Sequence, residues 1–197
     1  MILYACSKNP GKLREFALAT REFAPQVTID CLPGLEGIPA PEENGSTFEE
    51  NASLKALYYS RFTPELVFAD DSGLEVDALG GAPGIYSARY AGPDAIDTAN
   101  NELLLEHLQD EKNRKARFLC VIALAKADRI LETFRGAVEG HLLTARVGSN
   151  GFGYDPLFYY PPLGRTFAEL SPEKKFSVSH RGKALRKLFE ALSRDAT

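Results

Sequence analysis

The chain has 197 residues, 44% of them hydrophobic and 25% charged, with a formal net charge of -4. That length suits one domain with a real core, and the composition is that of an ordinary soluble globular protein. The negative balance argues against a general nucleic-acid or membrane binder. Three cysteines without a short CxxC spacing (Cys6, Cys31, Cys120) argue against a disulfide framework and for a reducing cytoplasm.

The apolar start, residues 1–6, is followed at once by Lys8, Lys12 and Arg14, which is too short for a secretory h-region. No apolar run approaches the ~20 residues of a membrane span. Ile2-Leu3-Tyr4-Ala5 reads as a first strand buried on both faces. It leads through Cys6-Ser7-Lys8-Asn9-Pro10-Gly11-Lys12 into a helical pattern with Leu13, Phe16, Ala17 and Phe23 on one side. Strand, polar glycine-containing loop and helix together present backbone N–H groups and a helix N-terminus to an anion. Ser7, Asn9 and Lys12 add a hydroxyl, an amide and a cation, which suits a polyphosphate. A simple capped βα loop is the other reading. The segment is not a Walker A loop, because Cys6 and Leu13 stand where that motif needs glycine and Ser or Thr.

Val27 to Cys31 reads as a second strand, and residues 32–46 form a Pro-, Gly- and Glu-rich irregular segment. Thr47 and Glu50 have capping-box spacing, so a helix is expected from near Thr47 through Asn51, Leu54, Lys55 and Tyr58. Glu42 and Glu43 just before it are open to two readings, as acids favouring the helix dipole or as an oxygen ligand to a metal. The apolar run Leu66-Val67-Phe68-Ala69 predicts a buried strand that ends on Asp70-Asp71-Ser72-Gly73. Strand ends in α/β sheets are where ligands bind, and two neighbouring anions invite a divalent cation. The same residues are also ordinary turn formers.

Gly80-Gly81-Ala82-Pro83-Gly84 and the following Ile85 to Tyr90 read as a backbone-dense loop, and Asp94 to Gln109 as an amphipathic helix burying Ile96, Leu103, Leu104 and Leu108. Residues 115–126 and 129–141 form a hairpin turning at Ala127-Asp128. The second strand alternates around Ile130, Glu132, Phe134 and Val138, which implies one wet face. His107 and His141 lack partners at metal-ligand spacing.

Gly148 to Pro156 fails the dinucleotide fingerprint, because Pro156 stands where the third glycine should be. Its aromatics Phe152 and Tyr154 between glycines, followed by Asp155, either stack on a flat heterocycle or pack a core. Ser171 to Phe176 leads to Ser179-His180-Arg181-Gly182-Lys183 and a terminal helix burying Leu185, Leu188, Phe189 and Leu192. Cations at a helix start oppose the dipole, which hints at a bound anion or polar ligand.

Four segments together resemble the inosine triphosphate pyrophosphatase family, also described as XTP/dITP diphosphatases. They are Ser7-Lys8-Asn9-Pro10-Gly11-Lys12, Ala69-Asp70-Asp71-Ser72-Gly73-Leu74, Gly151-Phe152-Gly153-Tyr154-Asp155-Pro156 and Ser179-His180-Arg181-Gly182-Lys183-Ala184-Leu185. Glu42 to Ala52 and Leu79 to Tyr90 are similar to the bacterial branch, and the similarity runs from about residue 2 to about residue 193.

The resemblance implies an α/β fold, elongated and two-lobed, with a long mixed β-sheet flanked by helices and a central substrate cleft. It implies one domain over residues 1–197, in a cytoplasmic homodimer with no nucleic-acid or membrane partner. The implied reaction is Mg2+-dependent hydrolysis of ITP, dITP or XTP to the monophosphate and pyrophosphate. Ser7, Lys8, Asn9, Pro10, Gly11 and Lys12 fall on the family's triphosphate loop. Asp71 falls on its proton acceptor and metal ligand, Glu43 on its other metal position, and Ser72 on a substrate contact. Phe152, Gly153, Tyr154, Asp155, Lys175, His180 and Arg181 fall on its nucleotide-binding positions. Two chemistries compete. An aspartyl-phosphate phosphatase needs Asp-x-Asp rather than adjacent aspartates, and a nucleotide sensor needs no metal carboxylates.

Overall fold

The computed structural model describes residues 1–23 and 26–194. Strand β1 (Ile2–Ala5) leads into helix α1 (Pro10–Phe23), as the sequence predicts. β1 lies between β2 (Thr28–Cys31) and β3 (Leu66–Val76), parallel to both. Burial on both faces of β1 is not found. Leu3 and Ala5 are fully buried while Ile2 is 48% exposed, the ordinary alternation of a strand with one covered face.

The buried stripe of α1 also differs from the expected one. It is Gly11, Glu15, Phe16 and Ala19, while Ala17 faces water. Hydrophobic spacing misplaces the stripe because its central member is a carboxylate, Glu15. Phe16 sits edge-on to Phe68 of β3, with ring centroids 4.9 Å apart.

The largest correction concerns β3. It does not stop before the aspartates but continues through Asp70, Asp71, Ser72 and Gly73 to Val76. Asp70 and Asp71 are therefore strand residues rather than turn residues, and strand alternation sends them to opposite sides. Their disjoint partners, described below, agree with that.

Helix α2 (Phe48–Ser60) starts where predicted, with the Thr47 hydroxyl accepting the Glu50 N–H. The return bond of the capping box is displaced by one residue, because the Glu50 carboxylate accepts from the Ser46 N–H and hydroxyl. Helix α3 (Asp97–His107) buries Leu104 and, just past its end, Leu108, but Ile96 precedes the helix and is 69% exposed. Asn100 and Asn101 are buried in its place.

Strands β4 (Lys115–Lys126) and β5 (Arg129–Leu142) form the expected hairpin around Ala127 and Asp128, both at positive φ. Along β5, Phe134, Gly136, Val138, Gly140 and Leu142 are buried, with exposed or half-buried residues between them. Two strands were not legible, β6 (Phe158–Tyr160) and β7 (Arg165–Thr166). At three and two residues they are too short to show a period, and prolines separate them. Helices α4 (Pro172–Val178) and α5 (His180–Arg194) close the chain, and α5 buries Leu185, Leu188, Phe189 and Leu192 as expected.

The seven strands follow the order β2-β1-β3-β4-β5-β6-β7. With β1 parallel to its neighbours and β5-β6-β7 antiparallel, the sheet is mixed and the fold is α/β. The residues gather into two compact units. The first comprises Met1–Asp71, Cys120–Gly136 and His180–Thr197, and the second Ser72–Leu119 and Ala137–Ser179. The core of the second includes Leu74, Leu104, Phe118, Tyr154, Phe158 and Phe167. Among the described residues no helix is long and apolar enough to cross a membrane.

In the first unit, Gly136 on β5 lets the start of α5 approach closely. A Cβ there would lie 2.0 Å from the His180 carbonyl oxygen and 2.7 Å from the Ala184 nitrogen, both backbone atoms that cannot swing aside. Gly136→Ala should therefore destabilise the protein by about 1–3 kcal/mol, read as a shift in denaturant midpoint. An unchanged midpoint would mean that α5 moves freely on β5.

Candidate active site

In the first unit, the loop between β1 and α1 is organised by its own polar side chains. The Ser7 hydroxyl accepts the Asn9 N–H at 3.2 Å, and the Asn9 side-chain oxygen caps α1 by accepting the Lys12 N–H at 3.0 Å. Pro10 opens the helix, a position where its missing N–H costs nothing. The helix N-terminus thus faces the loop with Lys12 on its first turn. Lys8 takes a different direction, its ammonium reaching the Glu36 and Ile38 carbonyls at 3.3 and 3.5 Å.

Asp70 is 3% exposed and lies among cations. Its Oδ1 accepts from Lys12 Nζ at 3.0 Å and its Oδ2 from Arg181 Nε at 3.1 Å. Arg181, 1% exposed, also donates through Nη1 to Glu15 Oε2 at 2.5 Å. Arg181 at the start of α5 is therefore neutralised within the protein, and the anions that the sequence hinted at for it are Asp70 and Glu15. Burial alone would raise the Asp70 pKa, but Lys12 and Arg181 outweigh it and hold the carboxyl well below the usual range.

Asp71 has a different environment. Its Oδ1 accepts from Lys55 Nζ at 3.0 Å, and its Oδ2 lies 3.4 Å from Asn51 Nδ2. The same Lys55 ammonium is 3.2 Å from Glu43 Oε2. Asn51 is fully buried, and its side-chain oxygen accepts the Gly45 N–H at 2.8 Å, tying the Glu43 segment to α2. Burial pushes the Asp71 carboxyl above its usual pKa, past the pull of Lys55 and Lys12. Burial works against charge on Lys55, but Asp71 and Glu43 raise its pKa, so it stays an ammonium. The two adjacent aspartates thus differ in character, one locked by cations and the other with raised proton affinity.

Among the described residues there is no group of three or more His, Cys, Asp or Glu side chains placed to hold a metal. What the protein does offer is two carboxylates, Glu43 and Asp71, converging on one cation, the Lys55 ammonium. An all-oxygen pair of this kind fits a hard divalent ion such as Mg2+, which is ordinarily held by one or two carboxylates and takes its other ligands from water and phosphate. Neither buried thiol is poised as a nucleophile, because burial pushes Cys6 up to about 12 and raises Cys120 as well.

In the second unit, the loop Gly151 to Asp155 wraps around its own carboxylate. Asp155 Oδ2 accepts the Phe152 N–H at 2.9 Å and the Lys175 ammonium at 2.5 Å. Gly151 has φ +78°, and a Cβ there would fall 2.0 Å from that oxygen, so the turn requires glycine. Lys175 also lies 4.5 Å from the centre of the Phe152 ring, over its face. Phe152 is half-buried, whereas Tyr154 is 4% exposed and belongs to the core, its hydroxyl donating to the Ser87 carbonyl at 2.8 Å. Of the two loop aromatics, only Phe152 keeps part of its surface open. Ser72 follows Asp71 on β3 and is half-buried.

The structure therefore gathers Ser7, Asn9, Lys12, Glu43, Asp71 and Arg181 in one unit and Phe152, Gly153, Asp155 and Lys175 in the other. Sequence reading missed Glu15 and Asn51 and left Lys55 undecided. A polar residue inside an otherwise apolar helical stripe is the signal that could have found the first two.

Asp70 makes stability depend on pH. Its folded pKa is held below the unfolded value of ~3.9, so the stability it lends is present above that pH and is lost as pH falls. Denaturant midpoints should drop on acidification below about pH 4, and Asp70→Asn should flatten that acid limb. Equal acid limbs in the two proteins would remove Asp70 from this role.

Residues 3–191 match the Ham1 family. A dITP/XTP pyrophosphatase of Syntrophobacter fumaroxidans is 52% identical over 187 residues, covering 95% of this chain and 80% of the relative. One of Desulforamulus reducens is 51% identical over 197 residues, covering 98% and 96%. The Ham1 protein of Staphylococcus aureus superposes with a TM-score of 0.88 at 42% identity, covering 99% of this chain and all of that one. The dITP/XTP pyrophosphatase of Mycobacterium abscessus does so with a TM-score of 0.73 at 38% identity, covering 98% of this chain. A mixed seven-stranded α/β fold, a polar loop on a helix N-terminus and a pair of carboxylates on one cation stand beside these matches. The chain belongs to the Ham1 family.

Proposed function

We propose that this protein hydrolyses non-standard purine nucleoside triphosphates (ITP, dITP and XTP) to the monophosphate and pyrophosphate, clearing them from the nucleotide pool. The observation that carries the reading is the convergence of Glu43 and Asp71 on one cation in the same unit as Lys12 at the N-terminus of α1. Polyphosphate chemistry needs both parts, a hard cation site and donors for the departing phosphates.

The attacking water adds to the α-phosphorus, the bond from that phosphorus to the bridging oxygen breaks, and pyrophosphate departs. Asp71 is the proton acceptor, because it stands with Glu43 at the cation site while Asp70 is locked between Lys12 and Arg181. Mg2+ held by Glu43 and Asp71 would supply positive charge to phosphate oxygens and make the attacking water more acidic. Lys12 meets the charge that grows on the leaving diphosphate. Asp70 accepts from the Lys12 ammonium through its carboxylate at 3.0 Å and its carbonyl at 3.5 Å and so aims it, leaving the rest of the ammonium's donor capacity for phosphate oxygens. The Ser7 to Gly11 loop and the helix dipole act in the same direction. Lys8 contributes through its backbone, since its side chain is engaged with Glu36 and Ile38.

Base recognition falls to Phe152, Gly153, Tyr154, Asp155 and Lys175, with Ser72, His180 and Arg181. Phe152 offers a ring face for stacking, and Tyr154 supports the loop from the core. The donors of Lys175 and His180 suit the 6-oxo acceptor of hypoxanthine or xanthine, while Arg181 serves the site through its bonds to Asp70 and Glu15. Adenine, with an amino group there, would leave a buried donor unpaired. The active form is a cytoplasmic homodimer in which each chain is one pyrophosphatase domain over residues 1–197, with neither nucleic acid nor membrane as partner.

The test is pyrophosphate release from ITP, XTP, dITP, GTP and ATP with and without Mg2+. Release from ITP or XTP should far exceed that from ATP and should require the metal. Equal rates on ATP and ITP, or release undiminished by a chelator, would overturn the reading.

A further inference from the structure

Gly153 stands between Phe152 and Asp155, and it is gripped on both edges of its peptide unit by α3. Its N–H donates to Asp97 Oδ2 at 2.6 Å, and its carbonyl accepts from Asn101 Nδ2 at 2.9 Å. The same Asn101 nitrogen donates to the Asp97 carbonyl at 2.6 Å, which ties the two gripping residues together. Gly153 has φ +61°, with nothing within 4 Å of where a Cβ would stand. Crowding therefore does not hold this conformation, and glycine leaves the left-handed region at little cost. The hydrogen bonds from α3 supply the constraint that sterics do not.

Asn101 is costly where it is. It is 2% exposed, and its Oδ1 meets no hydrogen-bond partner among the described residues. A buried unpaired acceptor is a penalty that an apolar residue on the same helical face would avoid. The neighbouring Asn100 grips another loop in the same fashion, accepting the Ala91 N–H at 2.8 Å and donating to the Ala88 carbonyl at 3.2 Å. A packing role alone would not call for a buried asparagine that leaves its own oxygen unpaired.

We propose that Asp97 and Asn101 are positioning residues for nucleobase recognition, holding Gly153 so that the Phe152 ring and the Asp155 carboxylate are set before the purine arrives. The inference rests on the reading of Phe152 to Asp155 as the purine loop. Such preorganisation lowers the cost of ordering the loop on binding. It acts on the base and leaves the polyphosphate half alone.

The experiment compares Asp97→Ala, Asn101→Ala and Asp97→Asn with the unsubstituted protein. The alanine variants should raise KM for ITP about tenfold or more while kcat changes less than about threefold. Calorimetric binding of inorganic pyrophosphate, which has no base, should be unchanged. Asp97→Asn keeps a side-chain oxygen to accept the Gly153 N–H and should recover most of the affinity. Should an alanine variant fail to fold by circular dichroism, Asn101→Asp carries the test, because it keeps the shape and loses the donor. An unchanged KM for ITP, or equal weakening of ITP and pyrophosphate binding, would overturn the proposal. An unsubstituted protein that binds ITP no more tightly than pyrophosphate would instead sink the purine-loop reading, and the positioning role with it.

Discussion

Replacing Asp71 with Asn should lower pyrophosphate release from ITP by at least ~10³-fold while the protein stays folded, because proton transfer and the cation site are lost together. The side chain keeps its shape, and the new amide can still accept from Lys55 through its oxygen, so packing around β3 and α2 is preserved. What disappears is one negative charge. Lys55 then keeps its ion pair with Glu43, and the carboxylate pair that converges on one cation becomes a single carboxylate. Single-turnover release of pyrophosphate and a thermal melt would be read on the same preparation. Near-normal turnover in a folded Asp71→Asn protein would move the chemistry elsewhere. The neighbouring Asp70→Asn change predicts another pattern. It removes the negative charge beside Lys12 and leaves the proton acceptor in place, so activity should fall less steeply.

Arg181→Met should be the most damaging single change to stability, at about 3–5 kcal/mol, because it removes the buried cation that bonds two buried carboxylates. Asp70 is 3% exposed and Glu15 6% exposed, and Arg181 bonds both. For a chain of this size the melting temperature should fall by roughly 6–20 °C. Adding Glu15→Gln to the methionine variant should restore part of the loss, because one buried negative charge is then neutral. A methionine variant melting within about 2 °C of the parent would show that water reaches these carboxylates and that the network is not buried in solution. A packing defect alone would not be rescued by a change at Glu15.

Both predictions turn on charges that cannot be sorted from the sequence. Asp70 and Asp71 are neighbours in the chain and equivalent in kind. Their roles separate because β3 runs on through them, placing one beside Lys12 and Arg181 and the other beside Lys55 and Glu43. The same continuation explains why the predicted turn was wrong. Asp, Ser and Gly favour turns locally, but pairing within the sheet overrides local preference.

Lys55 shows the opposite difficulty. From the sequence it reads either as a phosphate or base contact or as an exposed salt-bridge lysine, yet it is 9% exposed and joins two carboxylates from separate segments. Tyr154 stayed open in the sequence for a related reason. Aromatic residues between glycines fit a stacking loop and a core equally well, and only the packing of the second unit decided for the core.

Local chemistry determined a good deal without help. The β1–loop–α1 unit, the Thr47 cap, the Ala127-Asp128 hairpin turn, the apolar face of α5 and the motifs that mark the Ham1 family are set by residues close in the chain, where spacing alone carries the information. The tertiary structure decided which partners the charged groups have. Arg181 meets Asp70 across 111 positions and Glu15 across 166, and Lys12 meets Asp70 across 58. Electrostatic pairing depends on distance in space and on burial, neither of which is written in the order of the residues.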